Sequence, residues 1–462
     1  MTKKLSAGAL YHQALHLGCD QAKTDFETTK THMQGLVPQL KERGRAGQLD
    51  LVESAFWKKD IPGMQDIATQ YKRFHNILVL GNGQVTLGGA ALTSLYQSWV
   101  MGGAGGPYIY YVNAPDAEIF WELMSFLNPQ TTGVLVLSES GESDQTLILL
   151  MRCIEYWRDL LTPDEIKSHF TVVSPKNSML GRLAEEMAFH FLDYPVGVPG
   201  QFSALTMAGL LPLMLMGGNI DKVRKGAQLV TQDLFAGGDS QPLLGASFLM
   251  TLYKKGVKLH GIAPQGDAFQ AFSLWLQQAI LASLCHKGEG VAPLLFPYGT
   301  DLEGQVAVAS AGPAPMALSL FFEETRPQER PHPSLWKRFS GLEAVSESTI
   351  AQLHKAKTES FKTVLVQNGV PLRFITAPVF NEYAMGGLLA HVMLEVLLVA
   401  EALGIDALSR KAVPALPFLT QRFLKQDQLA KAKHAMMVAQ PKTTPKTAGA
   451  APKKVSSGQG RA

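Results

Sequence analysis

Short apolar runs that stop at glycine or polar turn residues, each followed by a helical stretch, organise most of this chain. Asn76 to Leu80 (NILVL) is the first; it ends at Gly81-Asn82-Gly83, and a helix is expected from about Leu87. Tyr108 to Val112 (YIYYV), Gly133 to Leu137 (GVLVL) and Phe170 to Val173 (FTVV) repeat the pattern. Continuous apolarity, as opposed to alternation, marks strands buried on both faces, as in a parallel sheet covered by helices. Two helical segments follow, Ser203 to Gly217 and Ile220 to Phe235. A second strand series is then expected at Val257 to Ala263, Val291 to Phe296, Ala317 to Phe322 and Leu372 to Ala377. The predicted fold is therefore α/β, with two doubly wound parallel-sheet domains and helical extensions.

Up to about Phe74 the pattern reads as helices, with Asp60-Ile61-Pro62-Gly63 as a turn between them. The expected division is a helical extension over 1–59, a first α/β domain with connecting helices over 60–235, a second with C-terminal helices over 236–438, and a tail over 439–462. An amphipathic helix is expected near Phe418 to Met437, and beyond Pro441 the Lys, Pro, Thr, Ala, Gly and Ser composition predicts disorder. A membrane span is not expected. Ser203 to Gly217 is short and broken by Pro212, and Ala384 to Gly404 carries His391, Glu395 and Glu401, all expensive in lipid. Both segments read as buried helices, with His391 a core histidine that finds hydrogen-bond partners.

Charge and cysteine content narrow the partners. The formal net charge is +3, yet Lys442, Lys446, Lys453, Lys454 and Arg461 all lie after Pro441 with no acid among them, so the body is close to neutral. A near-neutral body has no broad field for nucleic-acid phosphates, and nucleic acid is not an expected partner. Cys19, Cys153 and Cys285 are odd in number and far apart, which suits a reducing compartment. With no sustained apolar run at the start, the cytoplasm is the expected location. No metal or cofactor is expected.

The turn after GVLVL reads Ser138-Glu139-Ser140-Gly141-Glu142-Ser143-Asp144-Gln145-Thr146, ahead of a helix expected from about Leu147. Hydroxyls and a glycine between a parallel strand and a helix N-terminus suit an anion cradle, and they suit helix capping equally well. Together with LGNG…LGG at Leu80 to Gly89, PGQFSALTMAGLLP at Pro199 to Pro212 and GTDLEGQ at Gly299 to Gln305, the turn resembles the glucose-6-phosphate isomerase family. That family's stretches look like SKSGTTxET, GIGGSxLG, GGRFSxxSAxGLLP and TDxHSxxQ, and the similarity runs from about Asp60 to about Gln421. The resemblance implies a pair of sugar-isomerase (SIS-type, flavodoxin-like αβα) domains. It also implies a sugar phosphate or sugar derivative as ligand, and a dimer formed with itself or with a related isomerase. Gly81, Gly83, Ser138, Ser140, Ser143, Thr146, Gly200 and Gln201 are the binding residues it suggests. Val85 stands where the family's glycine turn has serine, Glu139 where its loop has lysine, and Glu142 is an added acid. Two carboxylates facing a phosphate dianion each repel it by roughly 1 kcal/mol in water and about 4 at an effective dielectric of 20. Either they point outward or the ligand is less anionic.

Aldose–ketose isomerisation needs an acid/base pair for ring opening, a carboxylate to carry a proton between carbons, and a cation near the enediolate. Matching Trp275, Gln278, Ser283 and Gly290 to the family's WxxQxxxxSxGKxxKG puts its catalytic glutamate at Ala282. Its histidine falls on Glu303, its arginine on Gln201 and its late lysine near Pro417. The expected function is sugar-phosphate binding with degenerate catalytic positions and weak or absent isomerase activity. The alternative is an active, divergent glucose-6-phosphate isomerase of glycolysis and gluconeogenesis, with Glu303 and His286, one helical turn beyond Ala282, as displaced acid/base groups.

Overall fold

The structure, a computed structural model, describes residues 6–96, 106–285, 288–324, 331, 335–336, 339–409 and 415–439. Among them the chain forms two five-stranded sheets. In chain order the strands are β1 (His12–His16), β2 (Asn76–Leu80), β3 (Tyr108–Val112), β4 (Thr132–Leu137), β5 (Phe170–Ser174), β6 (His190–Asp193), β7 (Leu259–Gln265), β8 (Ala292–Leu295), β9 (Met316–Glu323) and β10 (Leu372–Ala377). One sheet has the order β3-β2-β4-β5-β6, all parallel. Counted within the sheet this is 2-1-3-4-5, the flavodoxin-like doubly wound order. The other sheet runs β8-β7-β9-β10 in parallel by the same rule, and its fifth place is taken by β1, antiparallel to β10 with His12 opposite Thr376 and His16 opposite Leu372.

Two strands were not expected. The N-terminal segment does not read as helix alone: β1 is a five-residue edge strand with half-exposed side chains, too short and too polar to stand out as an apolar run. β6 (HFLD) likewise lies at an edge, with none of its four residues buried. Asp60 to Gly63 is no turn between helices. It opens the helix Ile61–Tyr71, with Pro62 in the first turn, where a missing N–H leaves nothing unsatisfied. Two helices start earlier than their apolar patterns suggest, at Gly83 and at Asp144, because caps set the start: Asn82 accepts from the Val85 N–H, and Ser143 from that of Thr146.

The helix Glu382–Leu403 is long and apolar enough to cross a membrane, but its residues from Ala384 to Ala400 are all buried within the protein. Met207–Leu215 is also buried, and it follows a 3-10 turn over Gly200–Leu205. The helix Ala415–Ala439 belongs to a unit separate from the rest of the chain, and it exposes Leu416, Phe418, Phe423 and Leu429. The tail expected after Pro441 lies outside the described residues.

A chain of buried polar groups ties the N-terminal segment to the second sheet. The Tyr11 hydroxyl lies 2.9 Å from His391 Nδ1, and His391 Nε2 lies 2.8 Å from Glu395 Oε2. Arg373 donates to Glu395 and, through Nε at 2.8 Å, to Ser319 Oγ, which lies 2.7 Å from His260 Nε2. All six side chains are buried, so His391 is the satisfied core histidine expected. With neutral imidazole, His391 Nε2–H donates to the carboxylate and Nδ1 accepts from Tyr11. Burial holds both His391 and His260 below the usual histidine range, with Arg373 adding to the effect; His260 falls to about 3. Burial alone would raise the Glu395 carboxyl, but Arg373 and His391 outweigh it and bring it to about 2.

All three groups act in one direction. The histidines are neutral in the fold, and the unfolded chain takes up their protons below the ordinary value of 6.5, so their stabilisation is full above that pH and drains away below it, for His260 toward about pH 3. That of Glu395 is present above the ordinary carboxyl value of 4.5 and is lost toward about pH 2. Each extra proton bound by the unfolded state costs about 1.4 kcal/mol per pH unit. Urea unfolding midpoints of the full chain are therefore expected to fall between about pH 6 and pH 4, and His260→Gln to flatten the slope by about one proton. A slope unchanged in His260→Gln would sink the assignment.

Candidate functional site

In a doubly wound sheet the crossovers leave in opposite directions where the strand order reverses, so the loops part and a crevice opens at the carboxyl ends of the strands. In the first sheet that point lies between β2 and β4. The loops that leave these two strands are Gly81-Asn82-Gly83 and Ser138 to Ser143, the two turns singled out in the sequence. Gly81 is there because of crowding: a Cβ would lie 2.6 Å from Thr86 Cγ2 and 2.9 Å from the Leu137 carbonyl oxygen. Gly141 turns through the left-handed region, φ +66°, and a side chain there would run into Ser178. Gly83 faces only ordinary contact with Leu87.

The serines shape their own loop. Ser138 Oγ accepts from the Gly141 N–H (2.9 Å), Ser140 Oγ from Glu142 (3.1 Å) and Ser143 Oγ from Thr146 (3.4 Å). Each hydroxyl is used as an acceptor, which leaves its proton available to a ligand oxygen. Capping and cradling are therefore compatible. Ser138 is buried, and Ser140 and Ser143 are half-buried. Behind them the Thr146 hydroxyl is fully buried with no hydrogen-bond partner among the described residues. Gln145 joins the two loops by donating to the carbonyls of Gly81 (2.9 Å) and Asn113 (2.6 Å). Asn113 Oδ1 in turn accepts from Thr86 Oγ1 at 2.6 Å. The motifs in the sequence point to neither Gln145 nor Asn113; the one local signal is a polar residue directly after β3.

The third wall is the Gly200–Leu205 turn. Ser203 Oγ donates to the Gly200 carbonyl (2.7 Å) and reaches the Val85 carbonyl at 3.3 Å, which ties this turn to the glycine turn. The buried Arg224 holds it from below, donating to the Leu205 carbonyl at 3.2 Å and to both oxygens of the buried Asp60 at 2.8 and 2.5 Å. No motif in the sequence signalled that pair.

The two acids go separate ways. Glu142 turns away from the crevice, and its carboxylate accepts from the Met179 N–H at 2.7 Å, at the start of the helix Met179–Glu186. Glu139 stays over it: its Oε2 lies 2.8 Å from where a Cβ on Gly200 would sit. Gly200 thus leaves room for a carboxylate. Gln201 is buried; its carbonyl accepts from Trp275 Nε1 (2.9 Å), and its amide nitrogen lies 3.4 Å from Ser283 Oγ. The half-buried Ala282 directly precedes Ser283 on the helix Gln270–Ser283. Position 201 therefore meets the end of the helix that carries position 282. Glu303 is exposed in the first turn of the helix Leu302–Ala311. His286 lies outside the described residues, and Pro417 is on the helix Ala415–Ala439 of the other unit.

The chain is 25% identical to a glucose-6-phosphate isomerase of Thermus thermophilus over 397 residues, covering 83% of this chain and 92% of that one. It is 24% identical to that of Carboxydothermus hydrogenoformans over 409 residues, 85% and 88% of the two chains. The crystal structure of a hypothetical protein from Thermus thermophilus matches with a TM-score of 0.75 and 24% identity, over 89% of this chain and all of that one. A glucose-6-phosphate isomerase from Chlamydia trachomatis matches with a TM-score of 0.61 and 15% identity, over 84% and 74%. No family model matches the chain. By fold the protein is a doubly wound α/β protein, a fold shared with both of these structures. Its likeness to glucose-6-phosphate isomerases extends over most of its length, at 24 to 25% identity.

The loop geometry separates two neighbouring side chains. Ser143→Ala is expected to lower the unfolding free energy by about 1 kcal/mol through loss of the helix cap. Glu142→Gln keeps an oxygen facing Met179 and is expected to cost less than about 0.5 kcal/mol, a typical surface substitution. Urea titrations of both variants check this ranking, and a larger loss in Glu142→Gln would contradict it.

Proposed function

We propose that the protein binds a sugar phosphate or sugar derivative in the crevice between the glycine turn, the serine turn and the Gly200–Leu205 turn, with little or no interconversion of glucose 6-phosphate and fructose 6-phosphate. The observation that carries this reading is the meeting of Gln201 with the Ala282–Ser283 end of its helix. Where the resembling family has an arginine and a proton-carrying glutamate, this chain has a carboxamide and a methyl group. Neither is an acid or base near neutral pH. Loss of a positioned acid or base removes about 10² to 10⁴ in rate, and loss of an electrostatic stabiliser about 10² to 10³. The same reading takes residues 60–235 and 236–438 as two sugar-isomerase domains, and a dimer, with itself or with a related isomerase, as the cytoplasmic form.

A coupled assay that follows fructose 6-phosphate conversion, run beside the Thermus thermophilus relative, is expected to give a kcat/KM at least about 10³-fold lower. Calorimetric titration with hexoses, hexose 6-phosphates and 6-phosphogluconate is expected to find a ligand. Turnover equal to the relative's, and abolished by Glu303→Gln, would overturn the reading in favour of a displaced acid/base pair. Absence of both turnover and binding would overturn the crevice itself.

A further inference from the structure

We propose that residues 411–462 attach the protein to anionic membrane surfaces, with the helix Ala415–Ala439 lying in the headgroup layer. The charge of the chain divides at this unit. Residues 411–462 hold ten of the chain's 42 Lys and Arg residues but only one of its 39 acids, Asp427, so the preceding residues carry 32 cations and 38 acids. A cationic unit on an acidic remainder marks an anionic partner for that unit alone. All the crevice residues come earlier in the chain than Lys411, so attachment and sugar binding can be tested apart.

Charge alone would suit any polyanion, and the apolar side chains select among them. On the helix Leu416, Leu419 and Phe423 recur at i, i+3 and i+7, the spacing of one helical face, and all three are exposed. Around the helix, Arg422, Lys425 and Lys431 lie about a quarter turn or more from the middle of that face. These cations are exposed as well, and Lys431 is paired with Asp427 at 2.7 Å. Phe418, Leu424 and Leu429 add further exposed apolar surface, which the long cationic stems can share while their heads reach water or lipid phosphate. Nucleic acid would neutralise the cations and leave the leucines in water. A bilayer with anionic headgroups takes both, the phenylalanine and leucine side chains at the acyl boundary and the cations among the phosphates. Charges spaced along the helix keep it in the interface and out of the bilayer core. By sequence, Lys442, Lys446, Lys453, Lys454 and Arg461 follow the helix without an acid and add to the same attraction.

The test is co-sedimentation of the full chain with vesicles of phosphatidylcholine alone or mixed with phosphatidylserine. The wild type is expected to bind the mixed vesicles at least about tenfold tighter than the neutral ones, because each cation near an anionic surface adds roughly fivefold. Raised salt is expected to weaken that binding. Leu419→Gln combined with Phe423→Gln, and separately Arg422→Gln combined with Lys425→Gln, are each expected to lower the partition coefficient at least about tenfold. Glutamine keeps helix propensity, and near-ultraviolet circular dichroism with the urea midpoint confirms that the fold is kept. Vesicle binding unmoved by the Leu419→Gln and Phe423→Gln pair would overturn the membrane assignment, as would equal binding to neutral and anionic vesicles or no binding to either. Duplex DNA or RNA bound more tightly than the anionic vesicles would overturn it in favour of nucleic acid.

Discussion

The arrangement depends on how closely two strand ends approach at the middle of the first sheet. β2 and β4 are direct neighbours, and the backbone after β2 passes so near the Leu137 carbonyl that no side chain fits at Gly81. That closeness lets Gln145, just beyond the serine turn, reach across the gap and donate to the carbonyls that follow β2 and β3, at Gly81 and Asn113. The third turn comes in by the same device. Helix Gly83–Thr93 meets the Gly200–Leu205 turn at Gly88, where a Cβ would lie 2.7 Å from that of Ala204. Backbone-to-backbone packing at glycine is rigid because no rotamer can give way, so the crevice walls are set by the fold.

The second sheet meets a different constraint. Its own parallel strands number four, and the open side of β10 is closed by β1 from the far end of the chain. An edge strand of five residues is weakly held by its ladder alone. Tyr11, immediately before it, adds a bond to His391 and so to the Glu395–Arg373–Ser319–His260 series. Buried ion pairs contribute little net stability once desolvation is counted, but removing one partner is strongly destabilising. The series therefore acts mainly to specify which segment completes the sheet, and its sensitivity to acid follows from histidines that must stay neutral.

How far the sequence could be read depended on whether the signal was local. Every strand except β1 and β6 announced itself as an apolar run, and β2, β3 and β10 fall on the expected residues. β1 and β6 escaped because half-exposed edge strands need not be apolar, and their pairing is decided by distant partners. Apolar periodicity alone predicts two helix starts too late: Leu87 and Leu147 lie inside helices whose starts are set by the capping residues Asn82 and Ser143. The serine turn was legible, as was its double suitability for capping and binding. The opposite directions of Glu139 and Glu142 were not. They depend on the left-handed bend at Gly141 and on the helix beginning at Met179, thirty-seven positions away from Glu142.

That last distinction decides which residues speak for function. Gly81, Gly141, Ser138 and Ser143 each have a structural reason to be what they are, since the chain would clash, strain or lose a cap without them. Their presence is what any chain with this strand order and these turns requires, whether or not a ligand binds. The turn does not itself dictate the charge at Glu139, because the bend is set at Gly141 and the caps by the serines on either side. Gln201 is similar: its anchoring bond to Trp275 is made by the backbone carbonyl, so the side chain can be chosen for chemistry. Of the crevice's side chains, those at 139 and 201 are therefore the ones whose chemistry the turns leave open.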